Sequence, residues 1–422
     1  MVVIERVKTH VLVVNQHGDN RGDEAAFLAM CTGIESELGS TDFTVIHQFN
    51  NAAAGPILRS DAQWITIKLP IVEAVRLLTF LGFRFFGLRP HFLLGPIGKK
   101  TITAYETADV VVSAPGGPYF GDLYIGHEFV HWLYVWIAKV HRVPTVLYAT
   151  SAGPFEKKWA NSFRRYTYRC FSRLFVREEI SAENIRKLFA TSRRKVMIEV
   201  SIDSALQVQV DAVDRSAVMA GSQMSVGDQL IVVSAINWPY QNDPAPLLRQ
   251  MEYNAAIIEA INVFSGSKPT HVVFVPQLYG SAHRDTPYLE SLARQLPAEI
   301  SREVLSDTKS SDEQRALFAA ADWVIAGRYH PAVFAVSSAV PVLCIAYEHK
   351  ATGVLQAAGI PEAVLSIDEV SVELIQAKAR ELLAKKADLS IQMKVAQIAL
   401  REVSSRTSVA VADEVRRSTK RR

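Results

Sequence analysis

Short apolar runs of strand length alternate with helix-period patterns along nearly the whole chain, and such alternation leaves few folds open: parallel sheets joined by crossover helices. Val11 to Val14 (VLVV) predicts a first strand, followed by a polar loop, NQHGDNRGD. A helix is expected from near Asp23, with Phe27, Met30, Ile34 and Leu38 on one face. FTVIHQF, DVVVSA (109–114), PTVLYA, RLFV and KVMIEV predict further strands, and each runs into a polar or glycine-bearing loop. Between 206 and 228 the pattern weakens into small and polar residues, which places a domain connection at 207–228. The alternation then resumes with QLIVVSAIN, HVVFVPQ, WVIAG and PVLCIAY separated by helical stretches, and two helical patterns follow Ser371. The expected organisation is therefore an N-terminal α/β domain over 1–206, a connection over 207–228, a second α/β domain over 229–370, and C-terminal helices with a basic tail over 371–422. Two doubly wound domains in tandem imply a cleft, and ligands of open parallel sheets gather at the carboxyl ends of strands, where the polar loops lie.

With 422 residues, the chain is too long for one ordinary core. A formal charge of +3 is nearly balanced, and much of the excess sits in Arg416, Arg417, Lys420, Arg421 and Arg422, expected to be a solvated, frayed end. Nothing in this charge pattern predicts a nucleic-acid partner. Cys31, Cys170 and Cys344 lie far apart in apolar runs without metal or redox spacing, so they are expected as buried small hydrophobes in a reducing compartment. The N-terminus does not resemble a signal peptide, because Glu5, Arg6 and Lys8 break its apolar run. The most apolar stretch, 71–94, is cut by Glu73, Arg76, Arg84, Arg89 and Pro90. It is too broken to span a bilayer. It is expected either as a buried helix or as a segment lying flat on a membrane, its arginines reaching to the headgroups. His127, His131 and His141 lack zinc spacing and are expected on helix faces or partly buried; no metal site is predicted.

Three constellations can carry chemistry. In Gly327-Arg328-Tyr329-His330-Pro331 a strand end meets a helix start, since proline suits the first helical turn. Arg328 and His330 would then stand at a helix N-terminus, where free N–H groups and the helix dipole favour an anion. Arginine adds a planar fork for phosphate or carboxylate, and histidine a proton donor near neutral pH. Val176-Arg177-Glu178-Glu179 likewise puts an arginine at a strand end, with a surface Arg–Glu pair as the equal alternative. In PGGPYFGDLY, Gly116 and Gly117 permit close backbone approach to a ligand. Asp122 in these apolar surroundings is either a base with a raised pKa or a helix cap. The loop bearing Asn20, Gly22 and Asp23 and the turn at Ser151 (SAGPF) are further candidate cleft loops; neither is a nucleotide-binding fingerprint.

Together these segments resemble the polysaccharide pyruvyl transferase family, in particular its colanic-acid, exopolysaccharide branch. The resemblance runs from about Val11 to Ile367 through NRGDEAAFLAM, PGGPYFGDLY, SAGPF, VREEIS, SIDSA and GRYHPAVFAVSSAVPVLCIAYEHKATGVLQAAGIPE. It implies two Rossmann-like domains facing a cleft, as in GT-B glycosyltransferases. It implies phosphoenolpyruvate as donor co-substrate, no further cofactor, and a sugar acceptor that becomes a cyclic pyruvate ketal. The family's functional positions fall on Asp122, Arg177, Arg328 and His330, with Lys350 a looser match, and Tyr329 stands where the family often carries leucine. The implied roles are a donor clamp of Arg177, Arg328 and Lys350, with His330 and Asp122 sharing the acid and base work in either order. The resemblance also implies a cytoplasmic enzyme, at the inner face of the membrane if its acceptor is lipid-linked. Two other readings remain open on the residues: a GT-B-like glycosyltransferase using a sugar nucleotide, and a non-catalytic sugar- or anion-binding protein on the same fold.

Overall fold

A computed structural model describes residues 8–47, 58–66, 71–122, 125–208, 210, 213–220, 224–225, 227–241, 243–280 and 283–420. The chain divides into two compact units that are not contiguous in sequence. The first comprises Met1–Gly18, Ala26–Ser204 and Val403–Arg422; the second comprises Asp19–Ala25 and Ala205–Glu402.

The first unit is built on an all-parallel sheet. Its strands are β1 (Thr9–Gln16), β2 (Thr41–His47), β3 (Gln63–Thr66), β4 (Val110–Ser113), β5 (Gly116–Phe120), β6 (Thr145–Ala152), β7 (Arg173–Val176) and β8 (Glu199–Val200). The order is β3-β2-β1-β4-β6-β7-β8, with β5 pairing β6 off this path. Both faces are covered, which is why the strands are continuous apolar runs rather than alternating ones. Leu12 and Val14 pack against Leu77, Phe80 and Leu133. Their neighbours Val11 and Val13 point the other way, onto Phe27, Met30 and Ile34 of α1 (Arg21–Leu38). The opposite helical layer holds α2 (Ile71–Phe85), α3 (Pro96–Thr107), α4 (Ile125–His141) and α5 (Asn161–Cys170); α6 (Glu179–Leu188) follows β7.

In the second unit the parallel sheet contains β9 (Gln229–Ser234), β10 (Thr270–Phe274), β13 (Ser301–Val304), β14 (Trp323–Ala326), β15 (Val342–Ala346) and β16 (Val364–Ser366). A two-stranded ribbon, β11 (Tyr279–Gly280) and β12 (His283–Arg284), lies apart from it. Sheet order is β13-β10-β9-β14-β15-β16. That is the Rossmann order 3-2-1-4-5-6, whose direction reverses between the first and fourth strands, here β9 and β14. The helices are α7 (Arg215–Val218), α8 (Pro246–Ser265), α9 (Thr286–Ala293), α10 (Ser311–Ala320), α11 (Tyr329–Ser337), α12 (His349–Ala357) and α13 (Val372–Ala384). The last helix, α14 (Lys386–Thr419), starts in the second unit and ends in the first.

Several expectations need correction. The segment 371–422 is not a separate region. The end of α14 packs Ala410, Val411 and Val415 into the first unit's core, and Ser408 Oγ shares a 2.5 Å hydrogen bond with Tyr148 Oη. The basic tail is helical through Thr419 rather than frayed, with Arg417 paired to Glu414 at 2.8 Å; Arg421 and Arg422 lie outside the described residues. The PGGPYF stretch is a strand, not a turn, because Gly116 and Phe120 pair with Thr150 and Ala152. In the 207–228 connection, Asp214 caps the short helix α7 by accepting from Ser216 and Ala217 N–H, and part of the connection lies outside the described residues. All three cysteines are free and buried, as expected; burial pushes the thiol of Cys31 up to about 12 and that of Cys170 up to about 11. No helix among the described residues is long and apolar enough to cross a membrane.

Candidate active site

At the reversal point of the second sheet, β14 ends against β9. Gly327 N–H donates to Ser234 O at 2.5 Å, and a Cβ on Gly327 would lie 2.3 Å from Tyr253 Oη. Only glycine lets the backbone approach β9 this closely, and it delivers Arg328 to the sheet's carboxyl edge. Arg328 is the N-cap of α11, in extended backbone and without a side-chain capping bond. Its Nη2 donates to Asp285 Oδ1 at 2.5 Å, while Oδ2 of the same carboxylate accepts Gln277 and Leu278 N–H, each at 2.9 Å. The Nε of Arg328 is buried and has no acceptor among the described residues. A guanidinium held at one end with a donor to spare is suited to a second anion.

His330 occupies the second position of α11 and is 7% exposed. On the adjacent strand end, Glu348 caps α12, again without a side-chain capping bond, and Lys350 pairs with Glu348 at 2.6 Å. Arg328, Tyr329, Glu348 and Lys350 line one small pocket. Two helix N-termini thus leave neighbouring parallel strands, with their positive dipole ends at the same sheet edge.

The 19–24 loop belongs to this same unit. Asn20 caps α1, its Oδ1 accepting Gly22 N–H at 2.9 Å, and it forms an antiparallel bridge with Leu278. The ring of His330 lies against Gly22: a Cβ there would sit 1.9 Å from both Cγ and Nδ1 of the imidazole. Gly22 is therefore glycine to make room for His330. Gly22→Ala is expected to displace the ring and lower kcat/KM about a hundredfold, with a modest loss of Tm. A steady-state assay beside a melting curve checks this; unchanged kinetics would show that the ring position is unimportant. Arg21 stacks on Tyr279 at 3.9 Å, pairs with Glu24 at 2.6 Å and donates to Asp307 O at 2.6 Å. Tyr279 also donates to Glu24; burial, with Glu24 beside it, raises its pKa and keeps the phenol protonated. Asp23 lies in the first turn of α1, where its charge complements the dipole.

The first unit holds the remaining candidates. Asp122 does not have the raised pKa anticipated for a base. Burial alone would raise it, but the Arg164 guanidinium at 2.8 Å and the N–H groups of Glu156 and Lys157 more than offset that, and its carboxyl is held below the ordinary range. Nor does it cap the following helix: its Oδ2 serves the turn after β6. Arg164 is wholly buried and also bidentate on Glu128, also wholly buried, at 2.7–3.2 Å. Arg177 is 3% exposed and is engaged by Ser151 Oγ (2.8 Å), Glu178 (3.2 Å) and Asp203 (3.1 Å). Two carboxylates neutralise it, so the expectation of an open donor clamp at Arg177 gives way to a buried ion-pair cluster that also contains Ser151. Gly116 and Gly117 start β5 and pack within the sheet. The close approach comes next door, where a Cβ on Gly121 would lie 2.8 Å from Gly153 O. His131 is fully buried, sharing a 2.8 Å hydrogen bond from Nδ1 with Asn15 Oδ1, and burial holds its pKa well below the usual value. Among the described residues no group of three or more His, Cys, Asp or Glu side chains could hold a metal ion.

Residues 20–349 match the polysaccharide pyruvyl transferase family. The chain belongs to that family. A curated relative, the amylovoran biosynthesis protein AmsJ of Erwinia amylovora, is 23% identical over 91% of this chain and 94% of its own length. Among solved structures, the UDP-GlcNAc 2-epimerase of Neisseria meningitidis bound to UDP-GlcNAc is similar at 13% identity and a TM-score of 0.57, covering 97% of this chain and 100% of that one. Anabaena Alr3699/HepE in complex with UDP is similar at 11% identity and a TM-score of 0.57, covering 98% and 100%. These likenesses show a GT-B-like fold of two parallel α/β sheets.

In this member of the family, Arg328, His330, Lys350, Asn20, Gly22 and Asp23 belong to one unit, and Asp122, Arg177, Ser151, Gly116 and Gly117 to the other. Sequence reasoning missed Asp285, Tyr279 and Arg164. Asp285 precedes Thr286-Pro287 and has the signature of a helix cap, yet its side chain turns back to Arg328 instead. Arg164 sits in NSFRRYTYRC with no local sign that it is buried.

Proposed function

We propose that this pyruvyl transferase moves the pyruvyl group of phosphoenolpyruvate onto two hydroxyls of one sugar in an exopolysaccharide or its precursor, on the cytoplasmic side of the cell. The observation that carries this reading is Arg328 at the reversal point of the second sheet. It caps α11 with one face tied to Asp285 and its buried Nε without an acceptor among the described residues. A donor bearing both phosphate and carboxylate suits that spare donor, the positive dipole ends of α11 and α12, and Lys350.

In the proposed reaction, C3 of the donor gains a proton and C2 becomes electrophilic. One sugar hydroxyl adds to C2, the C2–O bond to phosphate breaks, and the second hydroxyl closes the ketal. The two hydroxyl protons balance the one gained by C3 and the one gained by phosphate. His330, against Gly22 at the helix N-terminus, is the group assigned to proton transfer; such help contributes about 10²–10⁴-fold. Asp122 and Arg177, already engaged by their own ion pairs, act as positioning residues.

Incubation with phosphoenolpyruvate and candidate acceptor sugars is expected to release inorganic phosphate and yield a product heavier by one pyruvate ketal. Release of UDP from a sugar nucleotide, with no phosphate from phosphoenolpyruvate, would replace this reading with a glycosyltransferase.

A further inference from the structure

Helix α2 of the first unit is apolar on almost every side, as buried helices are, yet only one side is covered. Leu77, Phe80 and Leu81 face the core, whereas Val72, Val75, Phe83 and Phe85 face solvent. The chain after the helix continues this surface: Phe86 is 80% exposed and Phe92 is 83% exposed. Monomeric proteins rarely leave such a contiguous apolar surface without a partner.

Charge indicates which partner. Between residues 71 and 100 there are five arginines and lysines against one acid, Glu73, which is buried and already paired with Arg76 at 2.7 Å. Arg84, Arg89 and His91 surround His141 at the end of α4. The adjoining surface carries Lys139, Arg142, Arg169 and Arg417 around one open pocket, where Glu414, paired with Arg417 at 2.8 Å, is the single acid. A second aromatic group, Trp159, Phe163 and Tyr166, is exposed on and beside α5, in the helical layer that covers the same sheet face as α2. A second copy of the chain fits poorly, because an isologous contact would set each cationic rim against its own like. An anionic lipid surface satisfies both features. The aromatic side chains enter the interface, and the guanidinium groups meet headgroup phosphates while their stems stay in apolar surroundings.

We propose that the outer face of α2, with Phe85, Phe86 and Phe92 as its wedge, is a peripheral docking surface for anionic phospholipid membranes. The proposal is independent of the donor and acceptor, so its failure leaves the proposed transfer reaction untouched.

The full chain is sedimented with vesicles of phosphatidylglycerol and phosphatidylcholine, or of phosphatidylcholine alone, and its mass is measured by light scattering without lipid. Binding is expected to the anionic vesicles and to fall steeply with salt. The variant F85S/F86S/F92S changes exposed side chains only and is expected to keep the wild-type melting curve while losing at least about tenfold in partition. R89E/R142E is expected to lose anionic preference by about tenfold or more, each basic residue near such a surface being worth about fivefold. No binding to anionic vesicles, or equal binding by the triple variant, overturns the proposal. A lipid-free dimer that the triple variant breaks, without vesicle binding, assigns the face to a second copy instead.

Discussion

Arg328→Ala is expected to lower kcat/KM for phosphoenolpyruvate by about 10²–10³-fold while the protein stays folded. Removing one partner of a buried, hydrogen-bonded charge pair typically costs about 2–5 kcal/mol, and here the lost group would also be the donor's principal cation. Asp285 survives the change in part, since its other oxygen still accepts Gln277 and Leu278 N–H. Arg328→Lys is expected to recover little, because an ammonium replaces the charge but not the planar fork that reaches Asp285 with one nitrogen and leaves Nε for a ligand. Steady-state kinetics with varied donor, accompanied by circular dichroism, measures the effect. Full activity in Arg328→Ala would remove the physical basis of the proposed donor site.

The largest stability effect is expected at Arg164. Arg164→Ala leaves Glu128 and Asp122 without their shared cation in a place where Glu128 is fully buried. Breaking a buried ion cluster in this way costs about 3–5 kcal/mol, a fall in Tm of roughly 6–20 °C for a domain of this size. Converting the core of the cluster to apolar residues, Arg164→Met with Glu128→Leu, is expected to recover part of the loss, since the fully buried Glu128 charge is then not stranded and only Asp122 lacks its cation. The same cluster sets a pH signature. The depressed Asp122 contributes stability above its ordinary value of about 3.9, and that contribution is lost as pH falls through its folded value. Burial raises Glu128 despite Arg164, so its contribution has the opposite sign: present below about 4.3 and lost as pH rises through its folded value. Asp122→Asn is therefore expected to be less stable than wild type at neutral pH, with the two curves converging in acid. Urea denaturation across pH 2–7 reads this out, and parallel curves would show that Asp122 is not linked to folding.

How much of this was visible beforehand depended on how local the cause was. The strands were legible because a sheet covered on both faces demands unbroken apolar runs, and VLVV, DVVV and VLCIA are such runs. The position of Arg328 was legible because a strand end, a glycine and a helix-starting proline fall within five residues. Arg177 shared only the strand end before a helix and proved different. The deciding groups are Asp203 and Ser151, each 26 residues away along the chain and brought to it by neighbouring strands. Asp122 was misjudged for a related reason: its apolar sequence neighbours suggested a raised pKa, but Arg164 and two backbone N–H groups reach it from segments more than thirty residues on.

By itself the amino-acid order determined the succession of strands and helices, the coverage of both sheet faces, and the placement of an arginine and a histidine at a strand-to-helix junction. Those properties depend on hydrophobic period and backbone preference, which act over a few residues. Tertiary structure alone decided the strand order that sets β14 at the reversal point, the fit of Gly22 against His330, and the carboxylates that neutralise Arg177 while leaving Arg328 a donor to spare. Charge and contact act through space, and only the folded chain brings residues 22 and 330 into contact and residues 285 and 328 within hydrogen-bond distance.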